Sequence, residues 1–190
     1  FPRTWNLEQG IEIQHELLPR VSVTGSWFYG YFRNLNISLN QSWLYTGDDP
    51  TQNPNYQLFT VYNPLTGEPI PAYGRTAAAQ AAPTRNLDTF DPKRKQVYNS
   101  FNFEFRIRPG GGAQIFGGFA FERQRNTNCT APDNPNNLRF CDDTQLDIPF
   151  QKQFKVSGSY PLRWGIQVSG SFQSTQGPTS TRTMIVTRGL

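Results

Sequence analysis

Arg94-Lys95-Gln96-Val97-Tyr98-Asn99-Ser100-Phe101-Asn102-Phe103-Glu104-Phe105-Arg106-Ile107-Arg108 is the stretch on which the fold turns. From Val97 to Ile107 the odd positions read Val, Asn, Phe, Phe, Phe, Ile, and the even positions Tyr, Ser, Asn, Glu, Arg. Successive side chains of a β-strand point to opposite faces, so the run has one oily face and one wet, charged face. Pro109-Gly110-Gly111-Gly112 follows, and then Ile115, Gly117, Phe119 and Phe121 alternate with Gln114, Gly118, Ala120, Glu122 and Gln124. Two matched runs about a glycine turn predict a β-hairpin. What its oily face meets, protein core or lipid, decides the function.

Outward from this hairpin the same period recurs. Residues 4–17 alternate, with Trp5, Leu7, Ile11, Ile13 and Leu17 opposite Asn6, Glu8, Glu12, Gln14 and Glu16. After a turn at Pro19-Arg20, residues 21–39 alternate for roughly 60 Å at about 3.3 Å each. Strands of soluble domains usually run for about 3–10 residues, so this length suits a barrel wall better than a sandwich. A last hairpin joins strands at about 152–160 and 164–174 through Pro161-Leu162-Arg163. With 96–108 and 113–124, six strands are expected. Met184-Ile185-Val186 offers the start of a seventh.

The connections are lopsided. Turns near 18–20, 109–112 and 161–163 are short, whereas 41–93 and 125–149 are long, and in a meander the short ones share one end. Outer-membrane barrels have short periplasmic turns and long outer loops. Tyr160 and Trp164 flank a short turn, where an interfacial aromatic girdle would lie. The expected fold is therefore all-β: an antiparallel, up-and-down segment of a transmembrane β-barrel, as one domain over 1–190. The first long loop should fold on itself, with a strand at Leu58–Tyr62 and a turn at 63–69. Arg75 to Ala82 is its best helical stretch, without an amphipathic face and ending at Pro83.

Composition agrees. Only 36% of residues are hydrophobic, yet the chain holds 15 Phe, 8 Tyr and 4 Trp. A barrel reads as polar on average because only alternate residues face lipid. No run approaches the roughly 18–20 apolar residues of a membrane-spanning helix. A net charge of +4 does not call for nucleic acid as a partner. Cys129 and Cys141 lie in one polar segment at a spacing suited to a disulfide, which implies an oxidising compartment.

Val97 to Phe105, the glycine turn and Phe116-Gly117-Gly118-Phe119-Ala120-Phe121-Glu122-Arg123 resemble the barrel of TonB-dependent receptors, in the subgroup with a carboxypeptidase-regulatory-like domain ahead of the plug. Asn136 to Asp142 with Ile148-Pro149-Phe150, Lys155 to Leu162 and Gln167 to Gln173 are similar to segments of that group. Residues 1–19 and 59–70 match more loosely. The family's barrel has about 22 strands and is plugged from the periplasmic side. The resemblance implies a late but not final segment of such a barrel, in the bacterial outer membrane. The implied activity is uptake of an extracellular ligand with energy from a TonB-like periplasmic transducer, and the implied partners are outer-membrane lipid, the remaining barrel and the plug.

On this reading Val97, Phe101, Phe103, Phe105, Ile107, Phe119, Phe121, Val156, Ile166, Val168 and Phe172 face lipid. Trp43, Tyr45, Asp48, Asp49 and Tyr56 in the first outer loop are ligand-binding candidates, with Tyr62 and Tyr73 beside them. For each the competing assignment is packing within the loop or plain solvation. Asp142, Asp143 and Asp147 have oxygens suited to calcium, but solvated acids are the ordinary outcome, and no metal or cofactor is expected. Lys93-Arg94-Lys95 reads either as a lipid-headgroup contact or as a solvated strand end. His15 is the single histidine, which removes most Ser/His and Cys/His schemes. Glu8, Glu12, Glu16 and Glu104 line the polar face without the defined separation that paired-carboxylate hydrolysis needs. No enzyme is expected. Two further readings stay open, a secreted all-β lectin or adhesin and a passive or structural barrel.

Overall fold

In the computed structural model, which describes residues 3–130 and 133–177, eight strands and one short helix form. The strands are β1 (Trp5–Leu18), β2 (Val21–Asn40), β3 (Tyr56–Tyr62), β4 (Pro69–Arg75), β5 (Asn86–Gly110), β6 (Ala113–Thr127), β7 (Gln151–Pro161) and β8 (Gln167–Thr175). The helix α1 (Ala77–Ala81) is capped by Thr76, whose side chain accepts from the Ala79 N–H. Six strands make one antiparallel sheet in the order β1-β2-β5-β6-β7-β8, while β3 and β4 pair apart from it. The sheet is open, with β1 and β8 at its edges.

The turns follow from local chemistry. Pro19 fixes a negative φ and Arg20 takes φ 74°, the order a type II turn requires, and Leu18 pairs with Val21. Gly111 and Gly112 both have positive φ, as the primed hairpin turns demand, and Gly110 pairs with Ala113.

Register places the expected lipid-facing residues on one side. Val23, Phe105, Gly117 and Val156 share a row, and Gly25, Phe103, Phe119 and Phe154 share the next. Ring contacts run along this face, Phe119 to Phe154 at 4.7 Å and Phe154 to Phe172 at 6.3 Å. Phe101, Phe103, Phe119 and Val168 are 40%, 56%, 49% and 55% exposed, so no second layer covers them. Val97, Phe105, Ile107, Phe121 and Val156 are half-buried by their sheet neighbours. Among the described residues the buried apolar side chains are small and few, Ala79, Ala113 and Pro135. The chain exposes 13920 Å², against roughly 9200 Å² for a compact protein of its mass. This is a wall without a core.

Three expectations need correction. The third strand begins at Asn86, ten residues before the expected 96, so the first long loop ends at 85. Its early part alternates poorly and contains Pro92, but it pairs with Leu35–Asn40 beyond a register break at Arg33/Leu35. Asn34 (φ 54°) and Pro92 sit at that break, where a residue lacking an N–H is tolerated. The sixth strand begins at Gln167 and not 164, because Trp164 (φ 66°) and Gly165 (φ 74°) bend the chain, leaving Ile166 in the turn. β6 runs on to Thr127, which shortens the second loop. The seventh strand expected near Met184 lies outside the described residues.

Candidate functional site

Two places could hold a ligand, a polar head at the loop end and a groove on the wet face of the sheet. The head forms from residues 41–85 and the described part of 128–150. Trp43 donates its indole N–H to the Ala79 carbonyl at 2.8 Å and lies beneath the Arg75 guanidinium, 4.3 Å from the ring centroid. Asn53, buried, donates to the Trp43 carbonyl at 2.9 Å. Trp43 therefore knots the first loop together rather than standing free.

The second loop clasps the first. The Tyr56 hydroxyl donates to the Asp133 carbonyl at 2.8 Å, and the Asp133 carboxylate accepts from the Asn40 N–H at 3.1 Å. Burial, reinforced by the negative charge of Asp133, raises the Tyr56 pKa above its usual value near 10 and keeps the phenol a donor. Asn136 makes two bonds of 2.8 Å to the Tyr73 backbone, accepting from its N–H and donating to its carbonyl. The Cys129–Cys141 disulfide closes the second loop, as expected from the sequence. Thr130 reaches from it to Asp91 of β5.

Of the remaining loop candidates, Tyr45 is half-buried and its ring folds over Gly47, where any added methyl would overlap it. Asp48 is exposed. Asp49 caps the turn at 50–52, accepting from the Thr51 hydroxyl and N–H, which lowers its pKa. Asp142 is held the same way by Thr144, with Thr127 adding a third bond, and its pKa is lowered too. Asp143 accepts from Asn126. These acids serve turns, and among the described residues no group of three could hold a metal ion. Tyr45, Asp48, Tyr62 and Tyr73 remain the candidates whose side-chain polar groups the head does not occupy in the bonds described.

The groove was not legible as a site. It encloses about 640 Å³ on the polar face, over β1, β2, β5, β6 and β7. Glu12, Glu104, Arg106, Glu122 and Lys155 bring charges of both signs to its wall. Glu104 and Lys155 flank Gly118 in one row, and a side chain at 118 would run into the backbone of Phe103 and Glu104. Glycine there lets β5 and β6 pack closely and leaves the groove floor open. The sequence shows polar alternate residues on each strand, but only strand order brings those particular charges together.

Compared with family models, curated protein sequences and solved structures, the chain matches none.

Proposed function

We propose that this chain is part of the wall of an outer-membrane β-barrel of the TonB-dependent receptor kind, with its oily face on lipid and its groove on a water-filled lumen. The observation that carries the membrane part is the single-layered sheet with large apolar side chains exposed along one face and polar ones along the other. On β2 and β5 the apolar span, Val21 to Tyr31 and Val97 to Ile107, runs about 33 Å along the strand. Tilted by about 40°, that covers roughly 25 Å, the height of a barrel's apolar band. Trp5 and Tyr31, in ring contact at 5.9 Å, lie at its loop end, and Tyr160 and Trp164 at its turn end, the two places for aromatic girdles.

The open edges agree with a segment of something larger. Unpaired strand edges do not survive in hydrocarbon, so β1 and β8 would pair with further strands of the barrel. Energised import of an extracellular ligand, a plug and a TonB-like transducer come from the sequence resemblance alone. The head is the part such a receptor would present to its ligand, with Tyr45, Asp48, Tyr62 and Tyr73 the candidate side chains open to it.

Fractionation and detergent dependence test the proposal. The polypeptide is expected in outer-membrane fractions and to aggregate once detergent is removed. A monodisperse protein in plain buffer at high concentration points instead to the secreted binding module. Uptake that continues after the inner membrane is de-energised points to a passive barrel.

A further inference from the structure

We infer that the outer edge of β3, in the head, takes up an extended, uncharged polypeptide segment of another protein as a third strand. The inference goes beyond the membrane reading and does not rest on it, because the edge is the same whether the wall stands in lipid or in water.

Opposed residues of an antiparallel ladder alternately exchange both backbone bonds or neither. At the two ends of the β3–β4 ribbon, the Asn63 N–H donates to the Glu68 carbonyl and the Thr76 N–H to the Asn55 carbonyl, each at 2.9 Å. Odd positions of β3 therefore bond to β4, and even ones turn their N–H and C=O groups away from it. The register agrees, with Tyr56, Leu58, Thr60 and Tyr62 opposite Arg75, Tyr73, Pro71 and Pro69. Proline, which has no N–H to give, sits where an N–H would point outward.

The two outer edges of the ribbon are finished differently. On β4 the prolines offer no donor, Asn136 takes both backbone groups of Tyr73, and the Gln80 amide donates to the Arg75 carbonyl. The helix α1 and the turn at 135–138 lie against that strand. On β3 the Tyr56 N–H donates to the Asn53 carbonyl at 3.0 Å. Beyond it, the N–H and C=O groups of Leu58, Thr60 and Tyr62 have no partner among the described residues. Exposed strand edges are commonly blunted by lysine or proline. Gln57-Leu58-Phe59-Thr60-Val61-Tyr62 carries neither and no charge, and Leu58 and Tyr62 are 60% and 66% exposed.

These unmet groups identify the occupant. A row of alternating backbone donors and acceptors along one edge is matched by another backbone in extended form. Leu58, Thr60 and Tyr62 would flank it on one face, Phe59 and Val61 on the other. Such neighbours favour β-branched or aromatic side chains and offer nothing to a charge. A two-stranded ribbon is marginal alone, and a third strand relieves that. The seven residues of β3 make a strip about 23 Å by 5 Å. That is enough for a peptide held by main-chain bonds, and well short of the roughly 1,200 Å² that holds two copies of a chain together.

The test takes the full polypeptide encoded by the gene, purified in detergent, and the peptide Lys-Thr-Val-Thr-Val-Thr-Lys with fluorescein at its N-terminus, its lysines there for solubility. Anisotropy should show saturable binding. Hydrogen exchange followed residue by residue should find the Leu58, Thr60 and Tyr62 amides fast in the free protein. With peptide at about ten times its Kd they should slow about tenfold, whereas the Phe59 and Val61 amides are already slow without it. T60P removes the central outward N–H, as Pro71 opposite it already does, and should leave the ribbon folded while weakening the peptide about tenfold or more. T60V, which keeps that N–H, should bind as the wild type does. No binding by the wild type, or equal binding by T60P, overturns the proposal. Slowing of the same amides by protein concentration alone, with a doubling of mass, gives the edge to a second copy and also overturns it. Should T60P unfold the ribbon, seen as fast exchange at Phe59 and Val61, the wild-type pattern decides: peptide bound without slowing the three outward amides overturns it. Detergent dependence, which tests the membrane reading, is untouched by any of these outcomes.

Discussion

The sheet and the head it carries are held together by different means. The sheet has regular backbone pairing, period-two side chains and almost nothing buried, so its apolar face is left uncovered by the described residues. The head has little apolar burial either, but it is closed by its own bonds: Trp43 to Ala79, Tyr56 to Asp133, Asn136 to Tyr73, and a disulfide. On the proposed reading one region takes its stability from its surroundings, and the other from specific polar pairs. Changes of solvent should act on the first, and single-residue changes of bonding on the second.

The largest effect should come from placing a charge on the outward face. Phe103→Arg is expected to cost about 2–4 kcal/mol in a bilayer, whereas Gln114→Arg, at an exposed position of the wet face, should change stability by less than about 0.5 kcal/mol. Reversible urea unfolding in lipid measures both, and equal costs would erase the distinction between the faces. Next is the C129S/C141S double variant. Opening a loop of that separation removes about 3 kcal/mol in the chain-entropy account. Here the loss should be confined to the head, with faster proteolysis within 128–150 and unchanged strand signals.

Smaller again is Tyr56→Phe, which leaves the Asp133 carbonyl without its donor and should cost about 1 kcal/mol, read as faster amide exchange in both loops. The same bond has a pH signature. The Tyr56 pKa is raised by burial first and Asp133 second, so its contribution is whole below the ordinary value near 10 and lost as pH climbs through the higher folded value. Tyrosinate absorbance should show one phenol titrating late. The smallest effect belongs to Asp49 and Asp142, whose hydrogen bonds to Thr51 and Thr144 lower their pKa values. Their turns should persist through the usual carboxylate range near 3.8 and loosen only as pH falls below it, seen in the carboxylate shifts by NMR.

How much was legible follows the same division. Period-two alternation identified all six sheet strands and their faces, because each strand reports its own orientation. It missed Asn86–Lys95, where the signal is spread over a partner strand and broken at Pro92. It also ran the last strand through Trp164, whose positive φ no pattern of hydrophobicity reveals. The head was legible only in outline. The sequence left Trp43 and Tyr56 between ligand binding and packing within the loop, and their polar atoms bond within the head, through partners 36 and 77 residues away. Such pairings depend on loop closure that no local spacing encodes. The groove depends likewise on strand order.

The central claim is that the phenylalanine face touches hydrocarbon. Nitroxides attached through single introduced cysteines at successive positions from 97 to 107, the native pair being disulfide-bonded, test it in reconstituted bilayers. Collisions with dissolved oxygen, which concentrates in lipid, should peak at odd positions, and collisions with a water-soluble nickel chelate at even ones. Uniform access of the nickel chelate to all eleven positions, or protection of positions 101, 103 and 105 from both reagents, would contradict the account.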